Sequence, residues 1–206
     1  MQFIYNLNQK YQQNPCRFKE PDIIPKSIYN ALDFKTSIIG GSYALKRFTG
    51  ALWDPHDIDI FITGTDAEFK EAKDKFITLT NAILLSDNHT KHTKHTKNNE
   101  DFHALISGTY TFNIPGFSLP IQLIHFKQID HKPTVFEFLK EDSCYSIHAK
   151  TTDIPSVSYT IENGQKIFHI PERSLEAIFT RRINGNNICS NRRKLYASRG
   201  YTIFDE

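Results

Sequence analysis

Cysteine, methionine and tryptophan are scarce in this chain of 206 residues, which contains three Cys, one Met and one Trp. Cys16, Cys144 and Cys189 lie far apart and form no Cys-x-x-Cys pair. The sequence therefore provides neither a disulfide framework nor a cysteine-based zinc or redox motif. Reduced thiols are expected in such a chain, and they favour a cytoplasmic location.

Long apolar runs are also missing. No run approaches the roughly 18 residues that a membrane-spanning helix needs, and the polar residues between Asn6 and Lys10 interrupt any signal-like apolar segment. We therefore expect a soluble protein without a membrane partner. Its 16 Phe and 9 Tyr are enough to fill a core, whereas its net charge of +2 is too small to indicate a partner.

Strand-like and helix-like segments alternate along the chain, which predicts an α+β fold with a mixed central sheet flanked by helices. We expect one domain, residues 1–206, with its core at about 25–150 and a hairpin and basic helices at 151–206 as a small C-terminal extension. The predicted strands are 36–39, 57–63, 101–107, 109–113, 119–126 and 134–139, with a hairpin at Asn163-Gly164. The predicted helices are 25–32, 43–48, 66–84, 172–183 and 191–200. Phe69 and Phe76 are expected on one side of the helix 66–84, and Leu175, Ile178 and Phe179 are expected to face inward from the helix 172–183.

A glycine turn joins the first of these strands to the next helix, at Gly40-Gly41-Ser42. Glycines let a backbone approach a phosphate closely, and the N-terminus of a helix offers free N–H groups and a positive dipole end. Ser42 adds a hydroxyl donor and is the expected N-cap. Many strand–helix turns are glycine-rich for packing reasons, so this turn predicts an anion site only together with a second feature.

The second feature is the pair of aspartates in Asp57-Ile58-Asp59. Residues i and i+2 of a strand point to the same face, so the two carboxylates are expected to lie side by side. They repel each other unless a cation lies near them. The apolar residues at 60–62 indicate a buried strand rather than a solvated edge. Since Mg²⁺ prefers oxygen ligands and binds the phosphates of nucleotides, the pair predicts a metal site.

Gly41-Ser42, fourteen intervening residues and Asp57-Ile58-Asp59 together resemble the signature of the DNA polymerase beta-like nucleotidyltransferase superfamily. The longer stretch from Gly40 to Phe61, which includes Trp53, is similar to small nucleotidyltransferase-fold proteins of phages and large viruses. The specific motif covers residues 38–62. The resemblance implies a nucleotidyltransferase fold and transfer of a nucleoside monophosphate from a nucleoside triphosphate to a hydroxyl acceptor. The acceptor is an RNA 3′ end, a small molecule or a protein side chain, and the implied cofactor is Mg²⁺ or Mn²⁺.

The same resemblance assigns roles to residues. Gly40, Gly41 and Ser42 are expected to bind the triphosphate, and Asp57 and Asp59 are expected to be catalytic metal ligands. The superfamily also places a third carboxylate on a later strand.

The best equivalent of that later strand, residues 120–125, carries Gln122 at the acidic position, so an amide oxygen is the expected third metal ligand. His125 is expected to face away from Gln122. Glu137 is the substitute candidate for the catalytic carboxylate, ahead of Asp130, Glu141 and Asp142. Three readings follow: an active enzyme with a rearranged third ligand, a catalytically impaired nucleotide- or RNA-binding module of the same fold, and a structural domain without a nucleotide site.

Positive charge outside the motif is concentrated near the end of the chain. Residues 181–199 include no acidic residue but carry Arg181, Arg182, Arg192, Arg193, Lys194 and Arg199. Such a segment is expected to hold RNA or the triphosphate, or else to form a solvated basic face. Arg47, just after the turn, is a candidate phosphate ligand. The His-Thr-Lys repeat at 89–97 has a period of three and is expected to be a surface loop.

Overall fold

The elements alternate between strands and helices along much of the chain. The computed structural model describes residues 23–89, 106–127, 155–186 and 188–205. Its helices are α1 (Lys26–Ala31), α2 (Gly41–Thr49), α3 (Asp66–Thr80), α4 (Glu172–Thr180) and α5 (Ser190–Ser198). Its strands are β1 (Ser37–Gly40), β2 (Ile58–Gly64), β3 (Ile83–His89), β4 (Ile106–Asn113), β5 (Ile121–Lys127), β6 (Ser158–Glu162), β7 (Gln165–His169), β8 (Arg182–Asn184) and β9 (Thr202–Phe204).

Among the described residues, seven strands form one sheet in the order β3-β4-β5-β2-β1-β6-β7. The central pair, β2 and β5, is parallel, whereas β1 runs antiparallel to β2 on the other side. This register places Asp59 between Gly40 on β1 and Gln122 on β5. The predicted hairpin at Asn163-Gly164 is confirmed, and its strands β6 and β7 extend the sheet beyond β1. Strands β8 and β9 pair separately and in parallel.

The core lies on the face of β2 that carries Ile58, Ile60 and Ile62, all buried. Phe69 and Phe76 of α3 pack into the same cluster, as their helical spacing predicted. The expected α+β class, with a mixed central sheet flanked by helices, is confirmed. In the described ranges, none of the helices is both long and apolar enough to cross a bilayer.

Helix α3 begins at a capping box directly after β2. The Thr65 hydroxyl oxygen accepts a hydrogen bond from the Glu68 backbone N–H at 3.3 Å, and Glu68 Oε2 accepts one from the Thr65 backbone N–H at 2.8 Å. Each bond satisfies a backbone donor that would otherwise lack a partner at the helix N-terminus. The box therefore fixes where α3 leaves the strand that carries the aspartates.

Replacing the capping residue, Thr65→Ala, is expected to lower the free energy of unfolding by about 1 kcal/mol. Thr78→Ala is the matched control, because Thr78 lies exposed within α3 and its hydroxyl donates to the Asp74 carbonyl instead of capping the helix. Urea unfolding of both variants measures the difference. An equal loss in the two variants would contradict a capping role for Thr65.

Two helices end three or four residues earlier than predicted. Helix α3 stops at Thr80 rather than at 84, and α4 stops at Thr180 rather than at 183. In both cases the next residue, Asn81 or Arg181, adopts a left-handed conformation with φ of 53° or 56°. Arginine gives no sequence signal for that conformation, since glycine and asparagine are the usual residues there.

Two further expectations are wrong. Gly108 was expected to form a turn between two strands, but it lies inside β4, where a Cβ would come within 3.0 Å of the Tyr110 ring. The glycine therefore makes room for that ring. Phe179 was expected to face inward with Leu175 and Ile178, yet it is 39% exposed because it lies at the border of the buried face of α4. The predicted strand 134–139 and most of the His-Thr-Lys repeat lie outside the described residues.

Candidate nucleotide and metal site

The glycine turn is the first component of the site. Strand β1 ends at Gly40 and α2 begins at Gly41, which has a left-handed φ of 68°. Gly40 is the N-cap residue, and no side chain caps the helix. The expectation that Ser42 is the N-cap is therefore wrong, because the helix starts one residue before it. The first N–H groups of α2 have no partners within the helix.

Asp59 lies against this turn. A Cβ built on Gly41 would overlap Asp59 Oδ2, so the carboxylate occupies the space that any other residue at position 41 would fill. The antiparallel pairing of β1 and β2 explains the contact, since it sets Gly40 opposite Asp59. The glycine turn and the aspartate pair, which fourteen residues separate in the sequence, are therefore in contact in the structure.

Asp57 and Asp59 form a partly buried pair of like charges. Burial and, to a smaller extent, the negative charge of Asp57 raise the pKa of Asp59 to about 7, against the opposing effect of Arg192. Burial also raises the pKa of Asp57, while His56 and Arg199 lower it. A pair of carboxylates that disfavours its own ionisation in this way is suited to binding a cation.

Gln122 completes this end of the sheet. It lies on β5 in register with Asp59, and its Nε2 donates a hydrogen bond to Asp57 Oδ2 at 2.8 Å. The predicted proximity of Gln122 to the aspartates is thereby confirmed. His125, three residues further on, is buried on the other side, stacked on Phe69 with ring centroids 4.3 Å apart.

Arg192 of α5 and Arg199 directly after it place positive charge beside the aspartates. The sequence predicted only that this segment is basic. Arg199, at the end of α5, is buried with its guanidinium 4.0 Å from the centre of the Trp53 ring. Arg192, Tyr196 and Arg199 follow at intervals of four and three residues and so share one side of the helix. The charges of Arg199 and Arg192 act on Asp57 and Asp59, respectively. That side of α5 therefore faces the aspartate pair.

Other members of the basic segment have structural roles. Arg193 donates to Asp205 at 3.0 Å and to the Gly185 carbonyl at 2.6 Å, which ties α5 to the chain on either side of it. Arg181 and Arg182 lie over the rings of Tyr201 and Phe204. The expected role of the segment in holding RNA or triphosphate stays a prediction, and Arg192 is the exposed arginine of the segment whose charge acts on Asp59.

The remaining candidates lie apart from this cluster or outside the described residues. Arg47 is in the last turn of α2, at the opposite end of the helix from the glycine turn, so its contact with a phosphate stays a prediction. Lys46 next to it is bound to Asp54 at 2.7 Å. Glu137, like Asp130, Glu141 and Asp142, lies outside the described residues.

The donors present are compatible with Mg²⁺, which commonly binds one or two carboxylates together with substrate phosphates and water. Asp57 and Asp59 would provide the two carboxylates. The part of the chain that the structure describes contains no group of three or more His, Cys, Asp or Glu residues that could hold a metal ion, so water or phosphate oxygens would have to complete the coordination begun by the two aspartates. No protein-family model matches the sequence, and no curated protein is significantly similar to it.

Proposed function

We propose that this protein is a metal-dependent nucleotidyltransferase of the polymerase beta-like fold. It transfers a nucleoside monophosphate from a nucleoside triphosphate to a hydroxyl acceptor, which is an RNA 3′ end, a small molecule or a protein side chain. The observation that carries the proposal is the contact of the Asp59 carboxylate with the Gly41 turn, beside Asp57. An anion site and a cation site that touch each other fit the metal complex of a triphosphate.

In this proposal the backbone N–H groups at the start of α2 and the Ser42 hydroxyl bind the terminal phosphates. Asp57 and Asp59 orient Mg²⁺ or Mn²⁺, which when bound stabilises negative charge on the phosphate oxygens. The acceptor hydroxyl attacks the α-phosphorus in line and a new P–O bond forms. The bond between the α-phosphorus and the bridging oxygen breaks, and pyrophosphate leaves. Glu137 is the predicted acceptor of the hydroxyl proton.

Transfer of label from each α-³²P-nucleoside triphosphate, with Mg²⁺ or Mn²⁺ and with RNA or protein acceptors, tests this function. Asp57→Ala and Asp59→Ala are each expected to reduce transfer by on the order of 100-fold or more, because each removes charge stabilisation in the transition state. Asp54→Ala is the matched control. Asp54 is exposed, lies three residues before Asp57 and is bound to Lys46, so transfer should persist in this variant.

A second function is favoured by the hydrogen bond from Gln122 to Asp57, since the superfamily signature implies a third carboxylate at that position. This second function is that of a nucleotide- or RNA-binding module that does not transfer nucleoside monophosphate. Binding of nucleotide by the wild type without transfer of label to any acceptor would favour the module. Absence of both binding and transfer would reject both functions.

Arg192 is expected to contribute to triphosphate affinity. It is exposed, and its charge acts on Asp59 from α5, so Arg192→Gln should weaken binding of a nucleoside triphosphate about fivefold at low salt. Lys194→Gln serves as the control, since Lys194 is equally exposed but lies about 200° around the helix from Arg192. Fluorescence titration with a labelled nucleotide measures both affinities, and equal weakening would indicate a non-specific charge effect.

A further inference from the structure

Gln122 lies beside the aspartate pair with its amide nitrogen directed at Asp57. Its amide group donates to Asp57 Oδ2 at 2.8 Å, so the partial positive end of the amide points toward the carboxylates. An amide is a poorer Mg²⁺ ligand than a carboxylate because it has no net charge. One oxygen of Asp57 is already engaged, whereas two-metal sites hold a symmetric pair of cations about 4 Å apart with bridging oxygens.

The charges around the aspartate pair also disfavour a second divalent cation. Asp57 and Asp59 carry two negative charges when ionised, and a single divalent cation balances them. Arg199 is held on Trp53 at 4.0 Å, and Arg192 shares its side of α5, so two guanidinium charges already act on the pair. A second divalent cation from the protein's own ligands would face both guanidinium groups and the Gln122 amide. Like charges repel each other more strongly in a partly buried site than in bulk water.

We infer that the site takes one divalent cation, because position 122 carries an uncharged amide in place of the carboxylate that a second cation site would need. The inference rests on the proposed function. It implies that a carboxylate at position 122 would create the second cation site, whereas removal of the amide alone would not. In this inference the lack of charge on Gln122 limits the number of cations that the site takes.

Binding of Mn²⁺ to the full chain, followed by the electron paramagnetic resonance signal of the free ion, tests the inference. The His-Thr-Lys repeat is an additional source of Mn²⁺ ligands. For each chain we therefore subtract the number of Mn²⁺ ions bound by the same chain carrying Asp57→Ala and Asp59→Ala. The difference is the number of aspartate-dependent sites. We expect one such site in the wild type, one in Gln122→Ala and two in Gln122→Glu. Folding of each variant is checked by thermal melting.

Each outcome has one meaning. Two sites in the wild type, or two in Gln122→Ala, overturn the inference but leave the proposed function intact. A single site in a folded Gln122→Glu also overturns it, because Gln122 would then not limit the number of cations. If Gln122→Glu does not fold, the number of aspartate-dependent Mn²⁺ sites in the wild type and in Gln122→Ala still tests whether the site takes one cation. No aspartate-dependent site in the wild type contradicts the proposed metal site itself.

Discussion

The metal-free protein is expected to lose roughly 4 kcal/mol of its free energy of unfolding between pH 4 and pH 7 through Asp59 alone. The pKa of Asp59 is about 7 in the folded protein, against a model value of 3.8. Between these two values the folded state binds more protons than the unfolded state. Stability therefore falls as pH rises through this window and becomes constant with respect to Asp59 above it.

Urea unfolding across this pH range in the presence of EDTA measures the effect. Asp59→Asn preserves the shape of the side chain without its charge, so the difference between the wild-type and variant profiles isolates this one group. The variant should have the flatter profile and should exceed the wild type in stability above pH 7. Asp54→Asn is the control, because Asp54 is exposed and its pKa is lowered by Lys46 rather than raised. Parallel profiles for wild type and Asp59→Asn would contradict the burial of this carboxylate.

Gly41→Ala is expected to destabilise the protein by roughly 2–5 kcal/mol and to abolish nucleotidyl transfer. A left-handed backbone costs a non-glycine residue about 1–2 kcal/mol, and forcing a methyl group into filled space costs about 1–3 kcal/mol more. The methyl group would overlap Asp59 Oδ2 and displace that carboxylate from the turn. Stability and activity should therefore be lost together.

Gly116→Ala separates the two causes. Gly116 has a similar φ of 78°, but nothing lies within 4 Å of a Cβ at that position. This variant should lose only the backbone contribution and should retain transfer. Equal destabilisation of the two variants, measured by urea unfolding, would mean that Asp59 does not occupy the space beside Gly41.

The centre of the site was predictable because its signals are local. Two glycines before a helix and two aspartates at i and i+2 reflect the geometry of a single turn and a single strand. Gln122 was predictable only through the resemblance to the superfamily, which implies an acidic position on a later strand. These residues meet because β1, β2 and β5 are neighbours in the sheet.

The position of Arg192 and Arg199 beside the aspartates was not predictable from local signals. The sequence shows that Arg192 and Arg199 are basic, but only the packing of Arg199 on Trp53 determines which side of α5 faces the aspartates. That contact joins residues separated by most of the chain. Strands β8 and β9 were missed for a related reason, because each is short and forms only by pairing with the other.

A crystal structure with Mn²⁺ and a non-hydrolysable nucleoside triphosphate tests the central claim most directly. We predict an anomalous peak for Mn²⁺ between Asp57 and Asp59, with the terminal phosphates at the Gly40-Gly41-Ser42 turn. Soaking Asp59→Asn crystals in the same solution should remove the peak. Nucleotide bound elsewhere on the protein, or Mn²⁺ bound away from both aspartates in the wild type, would contradict the claim that the turn and the aspartate pair form one site.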